Sequence, residues 1–310
     1  METIKKTRSS SIRWGILRRA LLRNRNSHIS DKQSQVEIES ISRKTKHGFN
    51  LIPCQLLLDN NNINKQESQS DSRDCCMCYT LPIHGSPKLY LYQRTNSHAD
   101  LNDFEICNRY RIDNTGLVCS WPLEDVLAYF RMSNADMFRS KRVLELGSGY
   151  GLAGLVVAAT TEAVEVVISD GNPQVVDYIQ HNIEANTGLF GDTNMKSMML
   201  HWNQTEISNI SNTFDVIIAS DCTFFDEFHK DLVRITELLL RSTSPSEAIF
   251  FSPKRGDSLD KFVKEVEGRG LQYSLVENYN ELVWKHHQKF MNGNELWANY
   301  EKRSLLPITN

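Results

Sequence analysis

The chain has 310 residues, 40% of them apolar and 9% aromatic, and its 35 basic and 38 acidic side chains leave a net charge of −3. That length suits one large domain, or one domain with an ordered extension, and the composition supports a packed core. The near balance of charge points away from a nucleic-acid binder. No apolar run approaches the roughly 20 residues of a membrane span, so a soluble protein is expected.

The charge is unevenly spread. Residues 1–30 hold Lys5, Lys6, Arg8, Arg13, Arg18, Arg19, Arg23 and Arg25 against Glu2 alone, a net +7 that leaves −10 for the remaining 280 residues. A basic arm therefore precedes an acidic body. Within the arm, residues 11–24 put Ile12, Ile16, Leu17, Ala20 and Leu21 near one helical face, with arginines around the rest. Such a helix fits three roles: docked on the domain, bound to a partner or membrane surface, or part of an organellar transit peptide. Residues 1–58 read as a basic helix and extension. Residues 59–84 begin with the polar run DNNNINKQESQSDSRD and read as a flexible loop.

Cysteines stand at 54, 75, 76, 78, 107, 119 and 222. The odd count, with no secretory leader ahead of it, points to reduced intracellular thiols. Cys75, Cys76 and Cys78 cluster tightly, but a metal site needs a second ligand pair at suitable spacing, and none stands out. Cytoplasm and nucleus are the expected compartments, with organellar import through the basic arm as the other option.

From about residue 85 the composition becomes globular, and 85–310 reads as the main domain. Short β-like runs at 88–92 and 117–119 come first. Ser120, Trp121 and Pro122 then open a helix through Phe130, with proline in the first turn where its missing N–H costs least. Strand and helix alternate thereafter. Strands are expected at 142–146, 164–169, 198–202, 214–219, 248–252 and 271–276, and a helix-like stretch and a last apolar run at 305–309 finish the chain. Helices are expected at 152–160, from 172–173 to about 186, and at 227–241 and 258–269. This alternation predicts an α/β fold, Rossmann-like, with a mainly parallel sheet and helices on both faces. Ligands in such sheets sit beyond the carboxyl ends of the strands. Gly147, Asp170, Trp202 and Asp221 all fall at expected strand ends.

The strongest local signal is VLELGSGYGLAG, residues 143–154. Its glycines make a tight strand-to-helix turn that a ligand can approach closely. Asp170, closing the next strand, is suited to accept both hydroxyl protons of a ribose. Two cofactors fit. Residues 149–154 match the dinucleotide pattern G-x-G-x-x-G, with Asp170 at about the right distance, which favours a nicotinamide coenzyme. Glu145, two residues before the first glycine, opposes a pyrophosphate but suits the cationic amino-acid end of S-adenosylmethionine. The whole turn is better written E-x-G-x-G-x-G, which favours S-adenosylmethionine. Trp202 offers a ring to adenine or a rim to the core. Ser220 and Asp221 follow the strand that faces the transferable methyl.

These segments together resemble the seven-strand class I protein-lysine methyltransferases. The residues that carry the likeness are ELGSGYG at 145–151, DGN at 170–172, Trp202 and SDCTFF at 220–225. The more specific segments FFSPKRGDSLDKF (250–262), SDCTFFDEFHKDLV (220–233) and VENYNE (276–281) resemble the calmodulin-lysine N-methyltransferase family within that class. The likeness spans roughly residues 85–309 and extends weakly to the N-terminal helix and to 41–52. It implies a seven-stranded sheet, S-adenosylmethionine as cofactor and calmodulin as protein substrate. Cofactor contacts then fall on Trp121, Gly147, Ser148, Gly149, Asp170, Trp202 and Ser220. Residues 221–224 match the family's Asp-x-x-Tyr motif with one departure: the fourth position is Phe224, which has no hydroxyl.

In that setting a neutral lysine amine attacks the sulfonium methyl in line, and positioning supplies most of the rate. Asp221 holds the incoming ammonium or orients the backbone around it. Phe224, with Phe225 beside it, stacks on the methylated nitrogen. A phenyl face without a donor leaves room for successive methylations, up to three. The basic arm, and Lys254 and Arg255 past a strand end, are suited to steer an acidic partner. The rival readings are a methyltransferase acting on a small molecule or a nucleic acid, a nicotinamide oxidoreductase and a non-catalytic binding module. Against base methylation, residues 221–224 lack the paired prolines that such enzymes place there.

Overall fold

The computed structural model describes residues 49–57, 74–95, 100–112, 114–118, 122–253, 257–291 and 305–309. The basic arm with its 11–24 helix, Trp121, Lys254 and Arg255 lie outside the described residues.

The described chain begins with a three-stranded antiparallel sheet, in the order β1 (Cys54–Leu57), β2 (Asp74–Thr80), β3 (Lys88–Arg94). β2 falls inside the 59–84 stretch expected as a loop. Met77, Cys78 and Tyr79 are buried, and Met77 and Tyr79 join Phe49, Leu51 and Ile52 in one apolar core with the helices that follow. Three cysteines in seven residues conceal a strand, because a thiol packs as a small apolar group. Two further helices, α1 (Leu101–Tyr110) and α2 (Thr115–Val118), lead to α3 (Pro122–Ser133). The β-like run expected at 117–119 is thus helical at Leu117 and Val118.

A seven-stranded sheet follows. Its members in chain order are β4 (Arg142–Leu146), β5 (Glu165–Asp170), β6 (Asn194–Met199), β7 (Val216–Ser220), β8 (Glu247–Pro253), β9 (Ser274–Leu275) and β10 (Leu305–Thr309). Between them run α4 (Leu152–Thr160), α5 (Pro173–Ala185), α6 (His229–Leu239), α7 (Ser258–Gly268) and α8 (Glu281–Met291). The spatial order is β6-β5-β4-β7-β8-β10-β9. The first five of these pair in parallel, whereas β10 runs antiparallel to both neighbours. The chain moves outward from β4 in one direction through β5 and β6, then crosses to β7 and β8. The switch point therefore lies between β4 and β7, where the crevice of an open α/β sheet forms.

Strand periodicity sorts the core into two faces. Val143, Val166, Ile218 and Ile249 pack with α3, α4, α5 and the small sheet. Their neighbours Leu144, Val167, Ile217 and Phe250 pack with α6 and α7. β6 starts four residues earlier than expected, and Trp202 lies three residues beyond its end. Its sequence NMKSMM has no apolar alternation because it is an edge strand, half exposed.

The small sheet is fastened to α5 by two asparagines one helical turn apart. Asn182 Oδ1 accepts from the Tyr92 N–H at 2.7 Å and its Nδ2 donates to the Tyr92 carbonyl at 3.1 Å. Asn186 does the same for Tyr90, at 2.8 and 2.6 Å. Each side-chain amide stands in for a missing neighbouring strand, satisfying both backbone groups of its residue.

Candidate active site

One cleft of about 310 Å³ opens at the carboxyl ends of β4, β5 and β7, at the low end of the about 300–1,000 Å³ typical of small-molecule sites. Its floor is the turn after β4. Gly147, Gly149 and Gly151 have φ of 58°, 56° and 83°, a left-handed backbone that side chains disfavour. A Cβ at Gly147 would come within 2.9 Å of both Cys222 Sγ and the Trp202 ring, so bulk here is barred twice over. The Ser148 N–H donates to the Ser169 carbonyl at 3.0 Å, locking the turn to β5.

Asp170, at the end of β5, faces this turn. Its Oδ2 accepts from the Gly149 N–H at 3.2 Å and its Oδ1 from the Asn172 N–H at 2.9 Å. Asn172 in turn caps α5 by accepting from the Gln174 N–H at 2.9 Å. The carboxylate is thus oriented by backbone and lines the cleft, where an acceptor of this kind suits a vicinal diol.

Across the cleft runs the loop after β7. Asp221 adopts φ of 56° and is only 8% exposed. This left-handed conformation is tolerated by aspartate better than by most residues, and it marks a held position. The hold is visible. The Asp221 N–H donates to the Phe251 carbonyl at 2.9 Å, and Cys222 Sγ reaches the Leu146 carbonyl at 3.3 Å. His229 Nε2 lies 2.9 Å from the Thr223 carbonyl, which also accepts from the Ser258 hydroxyl. Burial, with Asp170, Asp221 and Glu145 nearby, pushes the Cys222 thiol well up, so it stays protonated. Ser220, Asp221, Phe224 and Phe225 all line the cleft.

Gly147, Ser148, Gly149, Asp170, Trp202, Ser220, Asp221 and Phe224 therefore converge as expected on one cleft. Glu145 does not. It shares the strand face of Val143, is 1% exposed, and its Oε2 accepts from the Gly154 N–H at 2.7 Å. It holds the first turn of α4 from below and does not line the cleft, so it offers no direct contact to the cofactor there, contrary to what the motif suggested. Burial pushes its carboxyl up to about 8, opposed by the Gly154 bond and aided by Glu124; Arg131 lowers it and Asp170 raises it. Gly154 itself leaves no room. A Cβ there would sit 2.6 Å from Ile168 and 2.7 Å from Glu145 Oε2, so this glycine serves close helix–strand packing.

Trp202 meets the glycine turn with its ring and Phe228 edge-on at 5.9 Å. Arg234 fixes its loop, Nη2 donating to the Trp202 and Gln204 carbonyls at 2.7 Å each. Several cleft residues escaped the sequence reading. Arg111, Ile112, Thr115 and Gly116 form a strap along one side, with Gly116 packed against both Asp170 and Gly149. The Tyr150 hydroxyl donates to the Leu117 carbonyl at 2.6 Å and ties the strap to the glycine turn. Tyr110 stacks on His201 at 5.7 Å and 9°. No motif marks these residues, because the strap reaches the cleft only through tertiary packing. Among the described residues there is no cluster of potential metal ligands. No helix among them is long and apolar enough to cross a membrane.

Comparison with known proteins finds the following similarities. A family model described as lysine methyltransferase matches residues 113–269. The calmodulin-lysine N-methyltransferase of Arabidopsis thaliana is 61% identical over 301 residues, covering 97% of this chain and 95% of that protein. The protein-lysine N-methyltransferase EEF2KMT of Mus musculus is 26% identical over 66% of this chain and 61% of its own length. Among solved structures, a ribosomal protein L11 methylase from Lactobacillus delbrueckii subsp. bulgaricus aligns with a TM-score of 0.42 and 15% identity. That alignment covers 61% of this chain and 79% of the other.

Proposed function

Because this chain belongs to the lysine methyltransferase family, we propose that it transfers methyl groups from S-adenosylmethionine to a lysine of calmodulin. The observation that carries the reading is the convergence of the glycine turn, Asp170 and the 221–225 loop on one cleft. The choice of calmodulin rests on the name of the Arabidopsis relative. Family membership also sets aside the nicotinamide reading of residues 149–154.

The residues present suit the methyl donor. Gly147 to Gly149 offer bare backbone to its amino-acid portion, Asp170 suits the ribose hydroxyls, and the ring of Trp202 closes the adjoining wall. When bound, S-adenosylmethionine supplies an electrophilic methyl on a sulfonium, which becomes a neutral thioether after transfer. The protein's part is to bring a neutral amine into line with that methyl. No side chain in the cleft is needed as a strong base. A free lysine is neutral about once in a thousand near pH 7.4, and entry into a partly dry, cation-bearing cleft lowers its pKa. Asp221 guides the ammonium in and fixes the loop, while Phe224 offers a ring face to the nitrogen as it gains methyl groups.

The test is intact-mass spectrometry of calmodulin after incubation with the protein and S-adenosylmethionine. Additions in steps of one methyl are expected, and Asp221→Ala should reduce them at least tenfold. Unchanged calmodulin alongside tight S-adenosylhomocysteine binding would remove calmodulin as substrate and leave the methyltransferase standing.

A further inference from the structure

The loop after β7 carries more aromatic surface than one ring on one nitrogen requires. Phe224 meets Phe225 at 4.6 Å between centroids and 71°, and Phe225 meets Phe228 at 6.0 Å and 83°. Phe228 then meets Trp202 at 5.9 Å and 81°. All four rings line the cleft, and all four are partly exposed. Successive rings meet edge to face, so the four form a continuous aromatic wall of the cleft. The wall runs from Asp221 to the glycine turn, spanning the distance between the substrate-side loop and the cofactor-side loop. Glu227 and Asp231, one helical turn apart, line the same cleft and add negative charge beside the rings.

We propose that Phe225 and Phe228 determine how many methyl groups are transferred, by completing with Phe224 an aromatic wall, backed by Trp202 on the cofactor side, along the path of the target lysine. This rests on the lysine-methyltransferase reading with calmodulin as substrate. The physical argument concerns what each methyl removes. An ammonium has three N–H donors, and each methylation replaces one of them with an apolar group. A pocket built on hydrogen bonds loses its hold at every step. Ring faces respond to the positive charge and not to the donors, so they hold all the methylated forms, and each added methyl gains apolar contact. In every round the amine lone pair forms the N–C bond while the C–S bond breaks and its electron pair stays on sulfur. The new ammonium must shed one proton to solvent before the next round, and the wall keeps it in reach while it does.

The experiment compares the full chain with Phe225→Leu, Phe228→Leu and Phe228→Tyr on purified calmodulin. Intact mass is followed at early turnover and at completion. The unaltered protein should yield chiefly the trimethylated form, with little mono- or dimethylated calmodulin at any time. Both leucine variants should accumulate the intermediates about fivefold over the unaltered protein, while binding S-adenosylhomocysteine within about twofold of it by calorimetry. Phe228→Tyr, which keeps the ring, should restore the original proportions. In the presence of S-adenosylhomocysteine, the leucine variants should also bind trimethylated calmodulin about two- to fivefold more weakly, relative to unmodified calmodulin, than the unaltered protein does. Leucine variants that keep nucleoside binding and give the original product ratio would overturn the inference, as would an unaltered protein that stops at one methyl. Calmodulin left wholly unmodified would overturn the substrate reading and this inference together.

Discussion

At Glu145 a buried carboxylate carries a pH signature. Its pKa rises from an ordinary value of about 4.5 to about 8, so folding takes up a proton between these limits. Its contribution to stability is then complete below about pH 4.5 and is lost as the pH climbs through about 8. The slope approaches 1.4 kcal/mol per pH unit, roughly, in that window. Urea unfolding of Glu145→Gln at several pH values from 5 to 8 should show a flatter profile than the unaltered protein. Gly154 is the neighbouring test of packing. Gly154→Ala should cost about 1–3 kcal/mol by overpacking Ile168 and Glu145, seen as a lower thermal midpoint. These two residues also show what spacing reveals and what it conceals. Gly147, Asp170 and Asp221 were legible because each follows a strand end, and strand ends meet at the switch point. Glu145 sits inside a strand, where one step in register decides between cleft and core. The motif carries no mark of that step.

Between elements, Asn182 of α5 and Asn186 at its C-terminal cap are the clearest devices. Asn182→Ala or Asn186→Ala leaves one N–H and one carbonyl of β3 without their side-chain partners. A loss of about 1–3 kcal/mol is expected for each in denaturant titrations. Amide exchange should quicken at Tyr90 or Tyr92 accordingly. The helices of the main sheet were readable almost to the residue where caps and apolar periods coincide. Asn172 before Pro173 starts α5, and the run after Gly151 starts α4. β6 was read four residues too late, because an edge strand needs no apolar face to pair with β5. The strap of residues 111–112 and 114–118 was missed for a related reason. Its role depends on lying beside Asp170 and Gly149, and nothing within its own sequence states that neighbour.

For the molecule as a whole, the chain's charge asymmetry bears on encounter with the proposed partner. Removing residues 1–30 takes away a net +7, and association with calmodulin should then weaken and lose much of its dependence on salt. Binding titrations at low and high ionic strength check this; equal salt slopes with and without the arm would count against it. The α/β class and the central sheet followed from the βα alternation, whereas of the small sheet only β3 was anticipated, by the β-like run at 88–92; β1 carried no mark and β2 lies in the cysteine-rich stretch expected as a loop. The strand order has one more consequence. β10 lies between β8 and β9 yet is the last of the three to be made. While the nascent chain grows, the free border of β8 presents unpaired backbone N–H and carbonyl groups to whatever is near, and β9 has no neighbour in the sheet. Closure of that border must wait for residues 305–309 to emerge. A chain cut short before them would keep a sticky open flank, and its expected fate is intermolecular pairing and precipitation rather than a smaller working enzyme.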